Sequence, residues 1–174
     1  HRKFNHASIL CLSMGIAIAS LVILNNEFGG PLHYEKLTIE VFFLGYSFPV
    51  SLITMSIMFS FMTKPMGKAI AVLKELCFWL VNLGVIIFFV FIILGILAGE
   101  MISSITLFVT VFVIFFMFLA TAPNVQQKTF LKSGMLFLLL TAVTGIFYIL
   151  QYLMPELMKY KTTLLQLHAM VSLY

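Results

Sequence analysis

Histidine is the residue type in this chain best suited to chemistry, because neutral imidazole binds metals and exchanges protons near neutral pH. The chain has four histidines. His168 lies seven residues after Lys161, at the start of a long apolar run. It is therefore roughly 10 Å along a helix that rises ~1.5 Å per residue. His33 lies in a glycine-containing loop, and His6 lies at the entrance to the first apolar run.

The depth of His168 leaves two interpretations open. A histidine inside a membrane span is a functional-site hypothesis, and imidazole is a common ligand of metals and of haem iron. The alternative is a structural hydrogen bond to a neighbouring helix. We predict His168 as a cofactor- and metal-binding residue, with His33 and His6 as weaker cofactor-binding candidates.

A second set of polar residues lies on one face of the second apolar run. Glu40, Ser47, Ser51 and Thr54 follow helical spacing, and Pro49 is expected to kink that helix. Small hydroxyl residues on such a face either pack helices closely or line a pathway for a ligand. Both interpretations predict that these residues face the interior of a bundle.

Other runs carry comparable polar or small residues. Asn82 is the most polar side chain clearly inside a run, and we expect its amide to hydrogen-bond to another helix. Gly95 and Gly99 have the spacing of a small-residue packing motif. The fourth run is apolar nearly all round, which predicts a helix at the lipid-exposed periphery. A further seam in the fifth run consists of Thr141, Gly145, Tyr148 and Tyr152.

Long apolar runs must position all these residues. Hydrophobic residues make up 62% and charged residues 9% of the chain, and mean hydropathy is +1.13. Five runs hold 18 to 23 residues, and a span needs about 20. They are Ala7–Leu24, Val41–Met62, Leu76–Ala98, Met101–Ala122 and Gly134–Leu153, with a sixth beginning near Thr162.

Runs of this length predict transmembrane helices, since lipid leaves backbone groups no partner outside a helix or closed barrel. We predict an all-α polytopic bundle of five complete spans and the start of a sixth. Residues 1–174 form a single transmembrane domain in this prediction. Because the sixth run stops at Tyr174, we expect a longer protein.

Basic residues predict how the helices are oriented. One predicted side carries seven Lys or Arg residues and the other carries three, at Lys36, Lys159 and Lys161. Because short cytoplasmic loops carry the excess, we expect a cytoplasmic N-terminus in an inner membrane. The side with seven comprises Arg2, Lys3, Lys64, Lys68, Lys74, Lys128 and Lys132.

Three short segments resemble parts of a known superfamily. Leu165–Tyr174 reads LQLHAMVSLY, Phe43–Val50 reads FLGYSFPV, and Phe78–Gly84 reads FWLVNLG. They resemble helix starts in haem-copper oxidase subunit I and in the related NnrS-type membrane proteins. In those families a leucine-rich His-Ala segment opens a helix whose histidine binds haem or copper. The resemblance implies that His168 is such a ligand, although the several histidines of a complete binuclear centre are not present.

Three function classes follow from these patterns. The first is a haem- or metal-binding membrane protein related to the respiratory oxidase subunit. The second is a transporter or permease component, and the third is a structural or assembly subunit of a membrane complex. No catalytic constellation is evident. The predicted partners are the lipid bilayer and either other membrane subunits or a second copy. Nucleic acid is not predicted, because the basic residues are scattered.

Overall fold

The computed structural model describes residues 2–28, 48–62, 67–121 and 126–172. Within these ranges the regular elements are all helices, which confirms the all-α prediction for this part of the chain. The predicted site residues His33, Glu40 and Ser47 lie outside the described residues. The helices are α1 (Arg2–Glu27), α2 (Phe48–Phe61), α3 (Lys68–Leu94), α4 (Leu97–Thr121), α5 (Gln126–Leu150), α6 (Pro155–Met158) and α7 (Lys161–Ser172).

Four of these helices are long and apolar enough to cross a membrane: α1, α3, α4 and α5. α3 has 27 residues, about 40 Å at ~1.5 Å per residue. α2 has 14 residues, and the predicted run to which it belongs begins outside the described residues, at Val41. α7 has 12 residues. Five complete spans and the beginning of a sixth therefore stay a prediction.

The chain divides into two compact units, His1–Ser60 and Phe61–Tyr174. The first contains α1 and nearly all of α2, and the second contains the other five described helices. In the first unit the Ser8 hydroxyl donates to the Pro49 carbonyl at 2.9 Å. The Phe4 and Phe59 rings stack with centroids 4.9 Å apart. The single transmembrane domain predicted from sequence stays a prediction.

A glycine ends α3 and starts the reversal into α4. Gly95 has φ 66°, in the left-handed region that favours glycine. Its N–H bonds to the Ile92 carbonyl, and the Ile96 N–H bonds to the Phe91 carbonyl at 3.0 Å. These bonds satisfy carbonyls that the helix end would otherwise leave without partners. The turn therefore lies at Gly95 and Ile96, within the predicted run Leu76–Ala98 and before that run's predicted end.

The small-residue spacing of Gly95 and Gly99 has a different role from the one predicted. The two glycines are not on one helix, because α3 ends before Gly95 and α4 contains Gly99. A Cβ at Gly99 would overlap the ring of Phe91. Gly99 therefore allows the first turn of α4 to lie against the last turn of α3.

The prediction that the fourth run lies at the lipid-exposed periphery was wrong. α4 packs against both α3 and α5. In its most apolar 18-residue segment 33% of the residues are buried, a larger share than in the corresponding segments of α1, α3 and α5. One row of its side chains is buried, including Ser103, Thr110, Ile114 and Phe118. Apolar composition did not reveal this placement, because a helix surrounded by other helices and a helix surrounded by lipid are both apolar.

Candidate functional site

The end of α5 and the start of α7 form a helical hairpin. After Leu150 the Leu153 N–H bonds to the Leu150 carbonyl at 2.9 Å, which tightens the helix end. Pro155 begins the short helix α6, where its fixed φ and missing N–H are tolerated. α7 then packs against α5. The reversal brings the sixth run back along the fifth.

His168 lies at the contact between α7 and α5. Its Nδ1 atom is 3.1 Å from the Thr144 hydroxyl oxygen. A Cβ added at Gly145 would lie 3.2 Å from His168 Cε1. The Thr141 carbonyl also interacts with the imidazole ring as a hydrogen-bond acceptor. The histidine predicted at depth is therefore half-buried against the seam predicted in the fifth run.

The Thr144 hydroxyl has three hydrogen-bonding neighbours, one of which is His168 Nδ1. The Thr144 hydroxyl oxygen lies 3.0 Å from the Leu140 carbonyl oxygen and 2.9 Å from the Thr141 carbonyl oxygen. Thr144 has a single hydroxyl proton, and both carbonyls only accept. In the tautomer with its proton on Nδ1, His168 donates to Thr144 Oγ1 while the hydroxyl donates to a carbonyl, and the neutral ring carries its lone pair on Nε2.

The polar face of α5 extends from His168 to the end of the helix. Thr141, Thr144, Tyr148 and Gln151 follow one another at steps of three, four and three residues, which places them on one face. Gln151 is only 1% exposed, and neither of its amide atoms has a hydrogen-bond partner. The Tyr148 and Tyr152 rings meet edge to face, with centroids 6.2 Å apart.

Two other predicted site residues donate hydrogen bonds within their own helices. Thr54 donates to the Val50 carbonyl at 2.9 Å, and the Asn82 amide donates to the Phe78 carbonyl at 2.7 Å. The bond expected from Asn82 to another helix is thus replaced by one within its own helix. Ser51 is half-buried, and His6 is exposed on α1 in the other unit.

The acid and thiol groups that commonly bind metal ions do not gather around His168. Within the described ranges, no group of three or more His, Cys, Asp or Glu side chains is close enough to hold a metal ion. A haem requires only one or two axial ligands from the protein. In the tautomer with its proton on Nδ1, His168 presents on Nε2 the lone pair that such a ligand needs.

Thr144 and Gln151 are the site residues that sequence reasoning missed. Thr144 directly precedes Gly145, which belongs to the predicted seam, but it was not expected to contact His168. Gln151 lies near the C-terminal end of the fifth run, where an amide is normally solvated. Its helical spacing from Thr144 and Tyr148 was the available signal.

Comparison with protein families, with characterised proteins and with solved structures gave no match.

Proposed function

We propose that this chain is a haem-binding protein of the cytoplasmic membrane, with its N-terminus in the cytoplasm and His168 as an axial ligand. The observation that carries the proposal is the hydrogen bond between Nδ1 of His168 and Thr144, at 3.1 Å. In the tautomer that donates from Nδ1 in this bond, Nε2 carries the lone pair that would bind haem iron. Histidine ligands of metals are commonly held in this way through their other ring nitrogen.

Thr144 and Thr141 are positioning residues in this proposal. Thr144 contacts Nδ1, the ring nitrogen other than Nε2, and the Thr141 carbonyl also interacts with the ring, so both would fix the orientation of the imidazole. Gly145 lets the ring lie directly against the backbone of α5. A haem bound here would supply electron transfer or binding of a small gaseous ligand.

The resemblance of Leu165–Tyr174 to a ligand-bearing helix of haem-copper oxidase subunit I supports the same assignment. We propose that the chain is distantly related to that superfamily. Oxygen reduction is not proposed for residues 1–174, since it requires a copper-binding histidine cluster that this sequence does not contain.

Haem content in matched variants tests the proposal. The full-length protein is expressed in haem-replete cells and purified in detergent, and haem per polypeptide is measured as the pyridine haemochrome. We expect His168→Ala to reduce haem at least tenfold and His6→Ala to leave it unchanged. Equal haem content in the wild type and His168→Ala would overturn the proposal, provided both elute as monodisperse species.

A positioning role for Thr144 gives a separate signature. Thr144→Val keeps the shape of the side chain and removes its hydroxyl oxygen. We expect the variant to retain haem, and its midpoint potential to become more positive because the imidazole donates less electron density to iron. An unchanged potential would contradict the positioning role.

A second candidate function is a purely structural one, favoured by the contact of His168 with Gly145 and Thr144. In a structural or assembly subunit these contacts would join α7 to α5 without any cofactor. This candidate predicts that His168→Ala lowers the thermal unfolding midpoint of a protein that contains no haem. The haem measurement in wild-type protein separates the two functions.

A further inference from the structure

The turn that joins α5 to α7 exposes a group of apolar side chains. Residues 151–161 form this α5–α7 turn, which contains α6 and the first residue of α7. Its exposed apolar side chains include Leu153, Met154, Met158 and Tyr160. α5 has 25 residues, about 38 Å at ~1.5 Å per residue, and is longer than the ~30 Å hydrocarbon core of a bilayer. The turn that follows it therefore lies at the level of the lipid headgroups.

Two exposed lysines of the α5–α7 turn each lie over a tyrosine ring. Lys159 Nζ is 5.1 Å from the centroid of the Tyr160 ring, and Lys161 Nζ is 5.9 Å from the centroid of the Tyr152 ring. An aromatic face attracts an ammonium group through its quadrupole, but it has no net charge that would neutralise the cation. The ammonium has three N–H donors, and those directed away from the ring can bind an anion.

The position of Lys161 is fixed by contacts between the two helices of the hairpin. The Tyr152 phenol hydrogen-bonds with Tyr148 of α5, and the two rings meet edge to face. Lys161 is the first residue of α7, so its contact with Tyr152 holds a positive charge at the end of α5. Residues 151–161 contain two lysines and one acidic residue, Glu156. The α5–α7 turn therefore has a net positive charge.

We propose that the α5–α7 turn binds the headgroup of an anionic phospholipid. The two lysines attract its phosphate, while the exposed apolar side chains beside them contact the upper part of its acyl chains. A soluble anion has no acyl chains to contact Met154 and Met158, and a zwitterionic phospholipid has its own cation, which competes with the lysines. The proposal rests on the membrane placement of α5 and not on haem.

Quenching by labelled lipids tests the proposal at this turn. In the full-length protein with its native cysteines replaced by alanine, Met154→Cys is labelled with bimane and reconstituted in phosphatidylcholine vesicles. Phosphatidylglycerol or phosphatidylcholine with a nitroxide on the acyl chain near the headgroup is added at equal mole fraction. We expect the apparent association of the anionic lipid to be about fivefold stronger, which is the attraction expected for one net positive charge at a membrane surface.

Charge variants test whether the two lysines cause this preference. Combining Lys159→Gln with Lys161→Gln should reduce it below twofold, whereas combining Lys159→Arg with Lys161→Arg should retain it, because guanidinium keeps both the charge and the contact with an aromatic ring. The matched control combines Lys68→Gln with Lys132→Gln, which removes the same charge at the starts of α3 and α5. This control should leave the preference at the α5–α7 turn unchanged.

Three results would overturn the proposal. One is equal quenching by the two lipids, and another is a preference that survives the paired glutamine substitutions at positions 159 and 161. The third is no quenching by either lipid, because the turn would then lie outside the bilayer. Haem content is measured separately on the same preparations, so a failure of lipid binding and a failure of haem binding are distinct results.

Discussion

The missing side chain at Gly145 determines how closely α7 can approach α5. A Cβ there would lie 3.2 Å from His168 Cε1, 3.6 Å from Nδ1 and 3.9 Å from Nε2. The first of these distances is shorter than an ordinary van der Waals contact, so any larger residue must displace the imidazole. Small residues are frequent between membrane helices for this reason. Gly145 and Thr144 together hold one aromatic ring in one orientation.

Gly145→Ala should therefore destabilise the protein even though alanine favours helix. We expect it to cost about 1 kcal/mol or more, because the ring must shift and its bond to Thr144 must lengthen. The control is Gly134→Ala in the same helix, where a Cβ meets no atom within 4 Å. That substitution should be neutral or stabilising, by up to about 1 kcal/mol. Thermal unfolding in detergent measures both, and similar effects from the two variants would contradict the contact with His168.

The hairpin of α3 and α4 depends on two glycines with different physical roles. Gly95 is required for its backbone conformation, with φ 66°, since a Cβ added there would meet no other atom within 4 Å. Gly99 is required for the space occupied by the Phe91 ring. The close approach between the end of α3 and the start of α4 allows α4 to pack against α3 on one side. On another side α4 packs against α5.

Substitutions at the two glycines should separate these roles. Gly95→Ala should cost about 1–2 kcal/mol, because alanine is strained in the left-handed region. Gly99→Ala should cost about 1–3 kcal/mol through overpacking, and the second substitution Phe91→Leu should recover part of that loss. The free-energy cost of Gly95→Ala, in contrast, should be the same with and without Phe91→Leu. Thermal unfolding of the four variants checks this pattern, and a rescue of both glycine variants, or of neither, would contradict it.

The apolar runs predicted which segments are helices better than they predicted what each helix touches. Charged residues were used to bound the predicted runs, but a charged residue does not always lie outside a helix. α3 begins at Lys68, eight residues before the predicted run that starts at Leu76. The reason is that a long lysine side chain can lie along a helix and extend towards the membrane surface. The position of α4 between α3 and α5 was not predictable from composition, since lipid and neighbouring helices favour the same side chains.

At the scale of the whole molecule, four lysines lie near one end of the unit formed by α3 to α7. Lys68 and Lys74 are in the first turns of α3, and Lys128 and Lys132 are in the first turns of α5. The Lys128 ammonium donates to the Leu119 carbonyl near the C-terminal end of α4, at 3.3 Å. The helix dipole stabilises a positive charge at that end. Because the connections are short, each of the helices α3, α4 and α5 is antiparallel to the one before it. The starts of α3 and α5, and with them these four lysines, therefore lie at the same end of the three helices.

This charge asymmetry makes a prediction about orientation. In a cysteine-free background, Ser133→Cys places a thiol beside the lysines without changing charge, and Met154→Cys places one at the opposite end of α5. We expect an impermeant maleimide to label position 154 in intact cells and position 133 only in inverted vesicles, since lysine-rich ends are cytoplasmic. Labelling of both positions from one side would contradict a spanning α5, and the reverse pattern would contradict the predicted orientation.

The sequence predicted that His168 lies within a helix, which α7 confirms, but not which residues it contacts. Depth follows from counting residues after Lys161, whereas partners depend on the register of α7 against α5. That register is set by the turn after Leu150 and by α6, whose shape no apolar pattern specifies. Asn82 shows the same limit of sequence-based prediction. Its amide was expected to bond to another helix, but it donates to a carbonyl of its own helix.

The visible absorption spectrum of the full-length protein tests the assignment of His168 most directly. The protein is purified in detergent from haem-replete cells and measured before and after reduction with dithionite. We expect a Soret band, with α and β bands that sharpen on reduction, and we expect these bands to be lost in His168→Ala. A flat spectrum from monodisperse wild-type protein would contradict haem binding and would leave His168 as a structural contact between α5 and α7.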